Sequence, residues 1–282
     1  MIIWLASYPK SGNTWLRSLI ANYYFSETGE FNFDLLEKID SFPSNKYFRK
    51  YLDKFNQPHD TSKYWIKEQE KINSSKKIYF FKTHNALCKI NGNRFTDEQN
   101  TLAVIYIIRD PRNIVSSVSH HYQINIDDAL KFMLNNKQGI FSKENNRYLG
   151  FQALFSWKFH VKSWTENNLY PTHIIRYEDL MDDALGTFKN VVKFINKVTK
   201  ANAEFNEEKG NNCIKNCEFS KLKNLESNVG FEEAMNKSGS DKKLPFFNLG
   251  KDNDYKKLLN EEFISEINSN FKDELIKFKY QY

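Results

Sequence analysis

The stretch Ser7-Tyr8-Pro9-Lys10-Ser11-Gly12-Asn13-Thr14-Trp15 follows directly on the apolar run Ile2-Ile3-Trp4-Leu5-Ala6. Beyond it Trp15, Leu16, Leu19, Ile20, Tyr23 and Tyr24 recur at helical spacing. This pattern predicts a strand, a tight loop and a helix that starts near Asn13 or Thr14. Backbone N–H groups at a helix start, together with the positive end of the helix dipole, make an anion site, and Lys10 adds a full charge. Lys10 is therefore read as an anion contact rather than a solvated loop lysine. The loop is not a Walker A sequence, because Lys10 precedes its only glycine and nothing stands in for the first one. Phosphate or sulfate binding is expected in place of ordinary ATP hydrolysis.

Further along, Ile78-Tyr79-Phe80-Phe81 ends in Lys82-Thr83-His84, and the continuous apolar run 102–108 ends in Arg109. Both read as strands buried on two faces, as in a parallel sheet. Asp110-Pro111 has the form of an N-cap followed by proline at the first helical position, with Ile114, Val115, Val118 and Tyr122 as the buried stripe. Residues 151–164 are expected to form one long buried helix, 173–176 a strand, and 184–198 a helix. Residues 27–76 are expected to be helices and loops around a pocket, and 201–212 and 227–245 to be loops, the second a lid over a ligand. The alternation predicts an α/β fold with a central parallel sheet flanked by helices, P-loop-like, in one domain over 1–282.

Composition sets the outer limits. The 282 residues, 40% hydrophobic and 16% aromatic, suffice for a sizeable core. A net charge of +6 is a small excess of 41 basic over 35 acidic residues, so it reads as solubilising charge and gives no nucleic-acid stripe. Cys88, Cys213 and Cys217 cannot all pair and have no zinc spacing, which leads us to expect reduced thiols and a cytoplasmic protein. No signal-peptide core and no run of ~20 apolar residues is present, so no membrane anchor is expected.

In open parallel α/β sheets, ligands gather at the carboxyl ends of strands. Three proposed strands end in groups suited to an anion: Lys10 with its loop, Lys82 with His84, and Arg109. Residues two apart on an extended chain share a face, so Lys82 and His84 are able to enter one pocket while Thr83 points away. Taken alone, His84 fits a general base or a hydrogen-bonded structural histidine equally well. Arg109 fits either a ligand contact or a partner of Asp110. The adjacent His120 and His121 do not share a helix face and have no acidic or cysteine neighbours, so no metal site is expected there.

These residues together resemble the sulfotransferases that use 3′-phosphoadenosine 5′-phosphosulfate (PAPS). The opening loop is similar to their Y-P-K-S-G-[TN]-T-W motif, and Lys82-Thr83-His84 to their K-T-H element. Arg109-Asp110-Pro111-Arg112 with Ser117 resembles their R-[ND]-P-[KR]…S segment, Tyr177-Glu178-Asp179 their Y-E-D, and Phe219 the aromatic of their [ST]-S-F. The resemblance implies that Lys10, Ser11, Gly12, Asn13 and Thr14 hold the 5′-phosphosulfate, with Lys10 at the bridging oxygen. It implies further that Arg109 and Ser117 grip the 3′-phosphate and that Trp15, Tyr177 and Phe219 surround adenine. His84 is then the general base and Lys82 a cation beside the transferred group. In-line sulfuryl transfer, with 3′-phosphoadenosine 5′-phosphate (PAP) as product, needs no metal.

One segment departs from the family. Where an R-K-G-x-x-G-D-W-K-like sequence is expected, this chain has Asn248-Leu249-Gly250-Lys251-Asp252-Asn253-Asp254-Tyr255-Lys256. Gly250 and the final Asp-aromatic-Lys remain, but the Arg and Lys before the glycine are gone, leaving Lys251 as a substitute cation. The eukaryotic-type dimer motif is not recognisable. The acceptor is expected to be a small molecule or a carbohydrate with a hydroxyl or amine, a carbohydrate being preferred by analogy with soluble microbial relatives, in a pocket shaped by the aromatic-rich residues 42–65 and the 227–245 loop. Two rival readings are a P-loop small-molecule kinase, which would need Mg²⁺ and an acidic residue to hold it, and a non-catalytic sulfotransferase-like binding protein.

Overall fold

The computed structural model describes residues 1–144 and 146–281. Its strands are β1 (Ile2–Ala6), β2 (Asp40–Ser41), β3 (Tyr79–Thr83), β4 (Lys89–Ile90), β5 (Asn93–Arg94), β6 (Thr101–Ile108), β7 (Gly139–Glu144), β8 (Arg147–Ala153) and β9 (Thr172–Arg176). The helices are α1 (Asn13–Phe25), α2 (Asn45–Phe48), α3 (Trp65–Asn73), α4 (Pro111–Tyr122), α5 (Ile126–Leu134) and α6 (Trp157–Thr165). They continue with α7 (Tyr177–Asp182), α8 (Ala184–Thr199), α9 (Glu207–Asn216), α10 (Phe219–Val229), α11 (Tyr255–Leu258) and α12 (Glu261–Lys277).

The central sheet runs β2-β3-β1-β6-β9, and every neighbouring pair is parallel. Both faces of it are covered, as the unbroken apolar runs require. Trp4 and Ala6 of β1 and Tyr106 and Ile108 of β6 face one apolar cluster with Phe81, Trp157 and Trp164. Ile3, Leu5, Ile105 and Ile107 face the other, against Leu19, Phe188 and Val192. Because β1 lies between β3 and β6, the loops that leave these three strands at their carboxyl ends are neighbours. Among the described residues no helix is long and apolar enough to cross a membrane.

Three expectations need correction. Residues 151–164 are not one helix: Phe151 lies in β8, which pairs antiparallel with β7, and α6 begins only at Trp157. The Ser156 side chain caps it by accepting from the Phe159 amide, and Phe155 at φ 56° turns the chain between the two elements. Second, residues 201–212 are only partly a loop, since α9 starts at Glu207, capped by Asn206 and with Glu207 and Glu208 in its first turn. Third, none of the aromatics of 42–65 lines the cavity that holds Lys82 and His84. Phe42, Phe48, Phe55 and Trp65 are fully buried in the core.

Candidate active site

The loop after β1 is built to present bare amides. Gly12 is the N-cap of α1 at φ 96°, and no side chain satisfies the first-turn N–H groups. A Cβ at Gly12 would stand 2.4 Å from the Tyr177 ring, so both the backbone angle and the contact call for glycine. Lys10 is also left-handed, at φ 66°. The Asn13 amide ties the loop down by donating to the Leu5 carbonyl at 2.9 Å and to Ser7 Oγ at 3.1 Å. Ser11 is buried and its hydroxyl has no hydrogen-bond partner among the described residues.

A cavity of about 400 Å³ opens above this loop. Lys10, Gly12, Asn13, Thr14 and Trp15 line it from the loop and α1, Lys82 and His84 from the end of β3, and Arg109 from the end of β6. Ser117, Tyr177, Phe219 and Gly250 complete the set brought together from those singled out in the sequence. Two do not line it: Ser11 is buried in the loop, and Lys251 is exposed to solvent.

The aromatic end is formed by Trp15 and Tyr177, whose rings meet edge-on with centroids 5.8 Å apart, and by Phe219. A Cβ on Gly250, at φ 57°, would strike the Phe219 ring at 2.6 Å. The Arg109 guanidinium lies over the Tyr177 ring at 4.3 Å and donates to the Lys10 carbonyl at 3.1 Å, while its buried Nε has no partner among the described residues. Ser117 accepts from Asn253 Nδ2 at 2.8 Å. Unpartnered polar atoms on Ser11 and Arg109, beside a backbone cradle that excludes side chains, fit an anionic nucleotide.

His84 enters the same cavity from the end of β3. Its Nδ1 is 2.8 Å from the Ser7 carbonyl oxygen, which only accepts, so Nδ1 carries the proton and Nε2 keeps its lone pair. The His84 main chain is held as well: Gln152 accepts from its amide at 3.3 Å, and His160 Nε2 donates to its carbonyl at 3.0 Å. Tyr106 in turn donates to His160 Nδ1 at 2.9 Å. Burial, with Lys82 nearby, pushes the His84 imidazolium down to about 3, so the ring is neutral throughout the physiological range.

The two lysines line the cavity with His84. Burial, then the proximity of Lys82, lowers the Lys10 ammonium to about 8, although Glu233 works against the shift. Lys10 Nζ also sits 3.9 Å above the Phe246 ring. Lys82 is buried, its ammonium lowered by desolvation and supported by Glu233, to which it donates at 2.7 Å. Burial alone would raise the Glu233 carboxyl, but Lys82 and Arg17 outweigh it and hold the group at about 2.

Glu233, Arg17 and Asn253 were not singled out in the sequence. Arg17 had a signal: it lies three residues after Thr14, hence on the same side of α1. Glu233 had none, because it meets Lys82 across 151 positions of chain. Residues 227–229 close α10 and are not loop, and the remainder of the 227–245 segment contributes Glu233 and Met235 to the cavity wall, which His121, Tyr122 and Ile140 also line.

A sulfotransferase domain profile matches residues 2–279. The flavonol 3-sulfotransferase of Flaveria bidentis is 24% identical over 94% of this chain and 78% of its own length. The luciferin sulfotransferase of Photinus pyralis is 23% identical over 92% of this chain and 68% of its own length. Among solved structures, retinol dehydratase in a complex with retinol and PAP superposes with a TM-score of 0.60 at 17% identity, covering 97% of this chain and 81% of the other. A mouse sulfotransferase complexed with PAP gives 0.58 at 17% identity, covering 97% and 84%. With a profile match over nearly its whole length and the same α/β architecture, the chain belongs to the sulfotransferase family.

Proposed function

We propose that this enzyme moves a sulfuryl group from PAPS to the hydroxyl of a small organic acceptor, with His84 as general base. The observation that carries the reading is the common cavity in which a neutral His84, with Nε2 unprotonated, stands with Lys10 and Lys82. Donor and product would be held by the loop amides, Ser11 and Thr14 at the 5′ end, and by Arg109 and Ser117 at the 3′ end, with Trp15, Tyr177 and Phe219 around the base. The donor supplies the sulfuryl group and a phosphate leaving group. His84 Nε2 takes the acceptor proton as the acceptor oxygen bonds to sulfur. The bond from sulfur to the bridging oxygen breaks, and its electron pair goes to the departing phosphate beside Lys10. Lys82 offsets charge on the sulfuryl oxygens.

For the acceptor, the wall around His84 favours a flat apolar alcohol or phenol over a sugar. Tyr122, Ile140 and Met235 are among the residues that line the cavity with His84 and offer apolar surface to a flat ring. The named substrates and bound ligands of the similar proteins, a flavonol, luciferin and retinol, point the same way. The three free thiols support a reducing, cytoplasmic setting.

The test is sulfuryl transfer from PAPS to a panel of phenols, aliphatic alcohols, amines and sugars, read by mass spectrometry with and without chelator. Transfer to an apolar hydroxyl that survives the chelator is expected. His84→Ala should lower kcat by roughly 10²- to 10⁴-fold with PAP affinity intact. PAP binding without transfer to any acceptor would mark a non-catalytic binding protein. Unchanged turnover in folded His84→Ala would remove His84 from the base role.

A further inference from the structure

The Glu233 carboxylate bridges two cations. Oε1 is 2.7 Å from Arg17 Nη1, and Oε2 is 2.7 Å from Lys82 Nζ and 3.3 Å from the Thr14 hydroxyl. Arg17 has no freedom to follow a moving partner, because its Nε donates to the Ile39 carbonyl and its Nη2 to the Leu36 carbonyl, each at 2.7 Å. Glu233 itself sits between anchored neighbours. Phe231 packs against Phe33 and Phe246, with centroids 4.6 and 4.9 Å away, and Lys243 donates to the Ala234 carbonyl at 2.8 Å.

We infer that Glu233 is a positioning residue for sulfuryl transfer: clamped by Arg17, its carboxylate fixes the Lys82 ammonium at the reacting end of the cavity. The inference rests on the reading of Lys82 as the cation beside the transferred group. An ammonium has three N–H donors, and Glu233 uses one of them, which leaves two for sulfuryl oxygens. Withdrawal of the carboxylate on donor binding would strand a buried guanidinium and is therefore opposed. The alternative, in which Glu233 occupies the donor's place and must leave, predicts the opposite kinetics.

Around Lys82 stand Glu233 from the 230–245 segment, Arg17 from α1, Lys10 from the loop after β1, His84 from its own strand end and His121 from α4. Glu233 is the carboxylate among those in direct contact with Lys82. Its neutralisation removes support from Lys82 and Lys10 together, so both ammoniums lose protons at lower pH.

The experiment compares E233Q, K82M and the double variant in steady-state kinetics across pH, with thermal unfolding as a check on folding. In E233Q we expect kcat to fall at least tenfold, donor KM to change less than threefold, and the alkaline limb of kcat to move to lower pH. In the K82M background, at pH values below the alkaline limb where Lys10 keeps its proton, E233Q should add nothing further to kcat. R17M, which unclamps Glu233 but leaves it charged, should also lower kcat, without moving the alkaline limb to lower pH, because Arg17 itself works to lower the Lys82 ammonium. A lower donor KM with kcat intact in E233Q would overturn the inference in favour of competition with the donor, and multiplicative losses in the double variant would also overturn it. If K82M alone keeps full kcat, the reading of Lys82 fails instead. Should E233Q not fold, E233D takes its place: a retracted carboxylate should lower kcat and leave the alkaline limb where it was, and an unchanged kcat overturns the inference.

Discussion

Lys10 shows how one residue's surroundings set a measurable property. Its ammonium is lowered to about 8 by burial and by Lys82, within the range where enzymes are assayed. The charged form is the one that neutralises the leaving group, and it is lost as pH rises through that value. In the free enzyme, kcat/KM for the donor should thus be level below about pH 7.5 and fall toward tenfold per unit above about 8. Lys10→Arg keeps its charge far above this range. Its profile, whatever its absolute rate, should lack the limb, and a limb at the same pH in Lys10→Arg would assign it to another group. His84 adds no acid limb in the accessible range, since its imidazolium sits at about 3. Lys10 and His84 were legible as candidates because each ends a strand-like run. Their partners were not, since Glu233 and Asn253 reach the site from more than a hundred residues away.

At the scale of elements, the sequence was clearest where local chemistry and burial agree. Asp110 does cap α4, accepting from the Arg112 amide at 2.9 Å with Pro111 at the first position, and α8 covers the expected stripe. Residues 151–164 misled because Phe151, Leu154, Phe155 and Trp157 are apolar in either a strand or a helix, and the informative signal was the cap at Ser156. The segment around Gly250 is a subtler case. Its glycine keeps the close approach to Phe219, yet Asn248 and Leu249 line the cavity without charge, and Lys223 donates to the Asn248 carbonyl at 3.1 Å with its ammonium 5.9 Å from the centre of the Phe219 ring. Arg109, stacked on Tyr177, is the arginine lining the cavity among the described residues. Asn248→Arg should therefore tighten PAP about tenfold, the value of a modest charge-assisted hydrogen bond, and leave 5′-AMP unaffected. Calorimetry with the two nucleotides decides it, and equal gains for both would show that the new arginine does not meet the 3′-phosphate.

Across the whole molecule, the two-faced sheet that gathers the site also buries histidines away from water. His84, His121 and His160 are each pushed to about 3, burial being the largest cause in every case, against about 6.5 in an unfolded chain. Between those values the unfolded state binds protons that the folded state refuses, so stability rises with pH there and is lost on acidification from about 6.5 downward. Each such histidine contributes a slope of up to about 1.4 kcal/mol per pH unit. Glu233 has the same consequence lower down: its carboxyl is depressed in the fold, and the stability it confers is present above about 4.5 and lost as pH falls toward 2. The unfolding midpoint should accordingly drop steeply between pH 6.5 and 5, before most carboxylates titrate. His160 is the residue to test, because it is fully buried between Tyr106 and the His84 carbonyl and takes no part in the proposed chemistry. His160→Gln retains a donor for that carbonyl but cannot titrate. It should lower the midpoint at pH 7 and shrink the loss between pH 7 and 5, whereas an identical loss in both proteins would show that the acid sensitivity arises elsewhere.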